Sequence, residues 1–481
     1  MAVRGELKEQ VARGVAWSMA EKAGSALLQM GVSMVVLRHL TPDQTGVWGI
    51  LTAVVAVALI LVDSGFSQTL IRKSDPTDDD YRSVFGLNLA LAAVLYALCT
   101  AAAPWLARFY DMPQIGIMAP VLFLLFPINA LCVIQNVIFT RQLRFALLSK
   151  AIFVSSLVSG AVAVGLAVAG FGLWSFVGQR LAALGVRTAL LWWLSDWQPR
   201  GTWRPAALRA MAPFSLRLMA TDLITTLYAR PQFFIGRLYP TEVLGFFDQA
   251  VKIREQPLSS AMQSVQNVTY PALAKIGDDA PKFAESYRQL LMMTAFALFP
   301  VMAGLIVVAD ELFPVLIGPQ WSPTVPYFRV ACLVGFFYPV AMVAYNVLKV
   351  RSDGRIIVRL EVVKKVLLTV VLFVTLRRSA LAVMWGLAAM SFVEMCLNTA
   401  AARRYAALPL RRIARTLLPV VLLTAVMSAA AWGAGRCTDL AVLRLTVEIV
   451  VGAVVYCAGA AVLRLEAFRE IVAVVRRRLN G

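Results

Sequence analysis

Apolar residues run through this chain in long blocks, not in the short alternating or one-faced patterns of a soluble domain. Fourteen blocks reach transmembrane length, at roughly 14–38, 46–70, 83–107, 115–139, 146–169, 171–194, 209–236, 243–272, 286–309, 325–348, 356–376, 380–402, 413–434 and 441–463. A bilayer helix needs about 20 mostly apolar residues. Backbone groups in lipid must be bonded within their own segment, so these blocks predict helices. The expected class is an all-α integral membrane protein with about fourteen transmembrane helices, called segments 1 to 14 below.

The polar positions that interrupt the blocks are concentrated on segments 1, 2, 7 and 8. On segment 8, Asp248, Lys252, Glu255, Ser259, Gln266 and Tyr270 fall within about 40° of one line at about 100° per residue. That stripe runs about 33 Å, the thickness of a bilayer core. Segment 1 carries Ser18, Lys22, Gln29 and Ser33 on one line. Segment 7 adds Arg217, Asp222, Thr225, Thr226 and Arg230 over more than one face. Pro231 follows and removes a backbone donor, which predicts a kink. Segment 2 contributes Asp63 with Thr52 and Ser67 on nearly the same face, and Gly65 is expected to loosen it. A charge at the bilayer centre costs about 2.5–3.5 kcal/mol on insertion scales, so such a line faces a wet cavity or other protein. The competing reading is structural: Asp248 and Lys252, four apart, neutralise each other and hold helices together. Lys364 and Lys365 are expected to snorkel from the start of segment 11. Arg180 and Glu394 each stand alone in a segment.

The order of motifs repeats at an offset of roughly 200 residues. Leu40-Thr41-Pro42 with Gly46 opens segment 2, and Leu238-Tyr239-Pro240 with Gly245 opens segment 8. Asp78-Asp79-Asp80-Tyr81-Arg82 follows the first; Asp278-Asp279, then Tyr287-Arg288, follows the second. The expected organisation is an N-terminal lobe over 1–194 (segments 1–6), an inter-lobe linker over 195–208 and a C-terminal lobe over 209–405 (segments 7–12). Segments 13 and 14 over 406–463 and a basic amphipathic tail over 464–481 complete it. Six is even, so the lobes share one orientation, as parallel repeats do. Gly65, Pro213, Pro231, Pro257 and Pro271 are the expected flexing points.

Composition agrees: of 481 residues, 60% are hydrophobic and 15% charged, against roughly 25% charged in a soluble protein. The net charge of +19 would suggest nucleic acid in a soluble chain. Here thirty Lys and Arg fall in alternate loops and both tails, and eight in the opposite loops. That is the positive-inside bias, and it places both termini in the cytoplasm. Glu21 and Lys22 interrupt the first block, so no cleavable signal peptide is expected. Five of six cysteines lie in segments and none has metal-ligand spacing. His39, the single histidine, reads as an interfacial residue. Loops are short. The acidic turn at Asp75–Asp80 is expected to be solvated, and 310–324 is one of the longest connections. In the tail, Leu465, Phe468, Val472, Val475 and Leu479 recur at helical spacing opposite arginines, a pattern for an anionic leaflet.

Lys and Arg beside a few carboxylates suit a large anionic ligand, since Arg grips phosphate with a rigid fork and Lys adds a point charge. Alongside this chemistry the chain resembles the Wzx-type polysaccharide and O-antigen flippases, the polysaccharide transport branch of the multidrug/oligosaccharidyl-lipid/polysaccharide (MOP) exporter superfamily. The carriers are Ala16-Trp17, Leu40-Thr41-Pro42 to Gly46, Asp63-Ser64-Gly65-Phe66 and Leu70-Ile71-Arg72. The second half adds Gly245-Phe246-Phe247-Asp248-Gln249-Ala250, Pro257 and Tyr270-Pro271-Ala272-Leu273-Ala274. The resemblance implies two six-helix lobes around a central cavity lined by segments 1, 2, 7 and 8. It implies a polyprenyl-diphosphate-linked oligosaccharide as substrate, moved across the inner membrane by alternating access. Lys22, Arg217, Arg230 and Lys252 are then expected to meet the diphosphate and acidic sugars. Asp63, Asp222, Asp248, Glu255, Gln29 and Gln266 would tune the cavity or couple to H+ or Na+. Neither catalytic residue, metal nor cofactor is implied. Expected partners are the lipid-linked oligosaccharide, membrane lipids, and a polymerase and glycosyltransferases; nucleic acid is not one. Three other readings stand: a multidrug cation antiporter of the same superfamily, a membrane glycosyltransferase or polymerase with Asp310-Glu311 as its weak catalytic or metal pair, and a scaffold.

Overall fold

The computed structural model describes residues 24–25, 28–276, 279–352, 354–406 and 408–470. Among them there are helices and connections but no strand. Every expected segment is occupied by helix, the first from Leu28 onward apart from a short piece at 24–25. Among the described residues, nine stretches are long and apolar enough to cross a bilayer. Segments 1, 6, 7, 8 and 11 fall outside that group. The first is described only as α1 (Leu28–Arg38), and the other four carry arginine, lysine or carboxylate side chains within their length.

The first compact unit is Met1–Gly245. Segment 2 enters it as two helices, α2 (Pro42–Asp63) and α3 (Phe66–Arg72). Thr41 opens α2 with a capping box: its hydroxyl accepts from the Gln44 amide, Gln44 returns to the Thr41 amide, and Pro42 takes the first helical position. Ser64 and Gly65 take left-handed φ angles of 49° and 72°, so the expected loosening at Gly65 is a full break. The C-terminal carbonyls of α3 would face no intrahelical donor. Arg141 supplies donors to Leu70, Ile71 and Lys73 from Nη1 and to Ser74 from Nη2, at 2.5–3.0 Å.

α4 (Asp78–Tyr110) starts where the acidic turn was expected to be solvated. That expectation is corrected. Asp80 is 2% exposed; it accepts from the Thr77 amide and from Lys73 at 2.6 Å. Asp79 holds Arg204 at 2.8 Å and the Thr202 amide at 2.7 Å, so the connection 195–208 is tied to the start of α4. α5 (Pro113–Leu122) and α6 (Leu125–Arg141) divide segment 4. α7 (Phe145–Val168) buries a face of small residues, Ser155, Ser156, Ser159, Gly160, Ala163 and Ala167, and packs along α8 (Trp174–Trp193). In lipid, close backbone approach rather than water exclusion drives such pairing. Segment 7 breaks at Ala229–Pro231 into α9 (Pro205–Tyr228) and α10 (Gln232–Leu238), where the proline predicts it. α9 packs against α2, α3 and α4 and so belongs to the first compact unit. α11 (Thr241–Ile276) begins after Pro240, as α2 begins at Pro42. A Cβ at Gly46 would strike the Thr241 carbonyl oxygen, and one at Gly245 the Pro42 carbonyl oxygen. The two repeat-related starts therefore meet backbone to backbone.

The second unit, Phe246–Gly481, contains the rest of α11, which runs through Pro257 and Pro271 as one helix. α12 (Ala280–Val307) is capped by Asp279, which accepts from the Lys282 amide at 3.2 Å. Those bonds and the Lys282 ammonium hold the Asp279 carboxyl below the usual carboxylate range. The connection 310–324 holds α13 (Ala309–Leu316) and a 3-10 turn, Pro319–Thr324, around buried Trp321. α14 (Val325–Arg351), α15 (Arg355–Thr375) and α16 (Ala380–Ala406) follow, then α17 (Leu410–Gly435) and α18 (Ala441–Val462). The core joins Phe283, Tyr287 and Leu291 of α12 to Val343, Ala344 and Val347 of α14 and Ala402 of α16. Of the expected tail helix, 466–470 is helical, with Ala467 and Phe468 packed on α12, α17 and α18; Val472, Val475, Leu479 and Arg476–Arg478 lie outside the described residues.

Candidate functional site

In the first unit the α2–α3 break positions the polar groups. Ser67 donates to Asp63 at 2.7 Å, and the other Asp63 oxygen is buried with no hydrogen bond among the described residues. The break docks on α9: Thr69 and Ser215 share a hydrogen bond of 2.7 Å, and a Cβ at Gly65 would strike the Ser215 carbonyl oxygen. Further along α9, Arg217 and, about two turns after Ser215, Asp222 are exposed, and neither has an ion-pair partner among the described residues. Asp222 lies within electrostatic reach of Asp63. Half-buried Arg230 sits at the α9–α10 break, within electrostatic reach of Arg180. Arg180 thus belongs to a basic pair. Gln29 is exposed on α1. Lys22, with Ser18, lies outside the described residues.

In the second unit four charges of α11, Asp248, Lys252, Arg254 and Glu255, are paired. Lys252 meets Asp248 at 2.5 Å, with 41% and 3% of their side chains exposed. The i, i+4 neutralisation weighed from spacing is thus formed, with the ammonium still accessible. Glu255 is half exposed and pairs at 3.2 Å with Arg254. The stripe reading missed Arg254 because it points off that line; its only signal was a charge inside an apolar segment. Gln266 donates to the Met342 sulfur at 3.3 Å. Ser259 is exposed, and the Tyr270 side chain lies outside the described residues.

Two further clusters correct expectations. Lys364 does not snorkel. It is 6% exposed, bound to Glu361 at 2.8 Å and Glu394 at 3.2 Å, over the Tyr345 ring. Glu394 therefore does not stand alone. Asp310 and Glu311 do not form an acid pair directed at one site: Asp310 binds Arg329 at 2.6 Å and Glu311 binds Arg444 at 2.9 Å. Among the described residues no group of three His, Cys, Asp or Glu could hold a metal. His39 is exposed, its ring bonded to the Val35 carbonyl at 2.9 Å. The open cation of α9 in the first unit, and by itself the accessible ammonium of α11 in the second, can each attract an anion; the carboxylate beside each can orient it or take up a cation.

A family model described as "Polysaccharide biosynthesis protein" matches residues 35–326. The succinoglycan biosynthesis transport protein ExoT of Rhizobium meliloti is 24% identical over 313 residues, 65% of this chain and 63% of that protein. The teichuronic acid biosynthesis protein TuaB of Bacillus subtilis is 24% identical over 461 residues, 94% of this chain and 95% of its own. The lipopolysaccharide biosynthesis protein WzxC of Escherichia coli is 23% identical over 339 residues, 68% of each chain. Among solved structures, the lipid II flippase MurJ in its inward closed conformation superposes with a TM-score of 0.72 at 12% identity, covering 95% of this chain and all of that one. An inward-facing multidrug resistance MATE transporter of the MOP superfamily gives 0.59 at 15%, covering 82% and 95%. The fold is that of these multi-pass membrane transporters, and by the match over 35–326 the chain is a member of the polysaccharide biosynthesis protein family.

Proposed function

We propose that this protein is a flippase that carries a polyprenyl-diphosphate-linked oligosaccharide across the bacterial inner membrane by alternating access, for O-antigen or exopolysaccharide assembly. The observation that carries the reading is the family match, whose residues 35–326 include every described candidate position from Asp63 to Gln266. The names of ExoT, TuaB and WzxC all refer to polysaccharide or cell-surface glycopolymer biosynthesis. The lipid tail stays in the bilayer, where crossing has no polar cost. The charged head crosses along polar helices, where Arg217, Arg230 and Lys252 replace its lost hydration. Asp248 keeps Lys252 in place before substrate arrives. The step moves a molecule without breaking a bond, so no catalytic residue is assigned. Both termini lie in the cytoplasm, by the bias of thirty basic residues against eight.

The test replaces the chromosomal gene with Arg217→Ala/Lys252→Ala and follows lipid-linked oligosaccharide and surface polysaccharide. The expected outcome is normal insertion, loss of surface polymer and accumulation of the lipid-linked unit on the inner leaflet. Normal surface polymer in the double variant would refute the assignment of these cations. Restored drug resistance with unchanged polymer in a susceptible strain would favour the cation antiporter.

A further inference from the structure

The second unit contains a cavity of about 470 Å³ between the starts of α12 and α17 and the chain that leaves α18. Arg288, Arg412, Arg415 and Arg464 line it together with Glu285 and Glu466. All four arginines belong to the loops and tail that the charge bias places in the cytoplasm. The cavity is thus at the level of the inner-leaflet head groups.

The charges in it are unequal in their engagement. Arg288 is 15% exposed and fixed by two carboxylates, Glu285 and Glu466, each at 2.6 Å. Arg412 reaches Glu285 only at 3.4 Å. Arg415 and Arg464 have no carboxylate partner among the described residues. Arg464 sits at a left-handed φ of 51°, where the chain turns back after α18 and 466–470 fold over α12. Four guanidinium groups against two carboxylates leave an excess of two positive charges. Such an excess matches one phosphate dianion or two phosphodiesters, and the arginine fork suits their oxygens.

The inner wall is apolar. Met292 and Phe296 follow Arg288 at successive fourth positions of α12, and Leu463 closes the opposite side. The apolar wall extends about 12 Å along the helix from the arginines. A soluble phosphate would use only the rim. A lipid would fill both parts, with its phosphate among the arginines and its glycerol and first acyl carbons against Met292 and Phe296. We propose that this cavity is a binding site for an anionic phospholipid of the inner leaflet, with a phosphodiester head held by Arg412, Arg415 and Arg464. Arg288, already neutralised, positions Glu285 and Glu466 and sets the width of the site. The lipid would link α12, α17 and the post-α18 segment at a cavity lined by neither Arg217 nor Lys252.

Native mass spectrometry of the full-length protein in detergent tests this. The protein is titrated with diphosphatidylglycerol, with phosphatidylcholine and, in a separate arm, with inorganic phosphate. The expected result is a clear preference for diphosphatidylglycerol over phosphatidylcholine. Arg415→Ala/Arg464→Ala should weaken it about thirtyfold, two arginines' worth of attraction. Arg403→Ala/Arg404→Ala, which removes equal charge at the end of α16 outside the cavity, should leave it unchanged. Equal weakening in both double variants would reduce the effect to diffuse surface charge and overturn the site. No weakening in the cavity variant would do the same. Inorganic phosphate competing with diphosphatidylglycerol at equal concentration would assign the arginines to a soluble anion and overturn the lipid.

Discussion

Arg217 and Asp222 of α9 stand open, and the central charges of α11 are closed into pairs, although both helices belong to the polar set singled out by the chain's pattern. The difference follows from spacing. Asp248 and Lys252 are four apart, so they share one face and meet at 2.5 Å. Arg217 and Asp222 are five apart, which puts them about 140° from each other around the helix and prevents contact. An open guanidinium keeps its full attraction for an incoming anion but must be reached by water or ligand to be tolerated in a membrane. A paired ammonium is cheaper to hold and gives up part of that attraction. One helix therefore carries charge for a ligand, and the other combines charge with structure.

The comparison can be broken most directly at the pair. Asp248→Ala removes a buried carboxylate and leaves Lys252 without its partner. Breaking a fully buried pair costs about 3–5 kcal/mol; with Lys252 two-fifths exposed, solvent lowers this to about 1–2 kcal/mol. The expected readout is a lower Tm of the detergent-solubilised protein. Asp248→Asn/Lys252→Met should recover most of that loss, because it deletes both charges; a double variant as unstable as Asp248→Ala would show that pairing is not what the carboxylate contributes. The opposite expectation holds for the open helix. Arg217→Ala should shift stability by less than about 0.5 kcal/mol while abolishing polymer export. A Tm drop as large as that of Asp248→Ala would erase the distinction between the two helices. The smallest effect belongs to a charge with a purely local task. Asp279→Asn keeps an N-cap acceptor for α12 and should be nearly silent at neutral pH. Because the Asp279 carboxyl titrates below its usual range, the wild-type cap is fully present above the ordinary carboxylate range. It weakens only as pH falls through the depressed value. A variant that removes acid sensitivity confined to that range would confirm it; identical acid profiles would assign the sensitivity elsewhere.

Much of the fold was legible in one dimension. The segments read as helices because lipid leaves the backbone no other partner. The breaks at Gly65 and Pro231 were marked by the two residues that most often permit or force them. Pro213, Pro257 and Pro271 were equally marked and do not interrupt their helices, because neighbouring packing can accommodate a missing donor in a membrane helix. The site was half legible. Spacing predicted the Asp248–Lys252 contact, but it could not predict Lys364 with Glu394, which lie on different helices. Nor could it predict the clamp of Arg141 on the end of α3.

What the amino-acid order determined alone is the set of helices, their membrane character, the repeat that starts α2 and α11 alike, and the positions of charge along each element. These depend on neighbours within a few turns, where hydrogen bonding and side-chain period are local. Tertiary structure alone decided which charges meet. It brought Glu466 to Arg288 and Arg412 to Glu285 from separate parts of the chain, seated α9 against α2, α3 and α4, and left Arg217 open. A charge's role depends on the distance to its nearest opposite charge, and across helices that distance is set by packing, which no local period encodes.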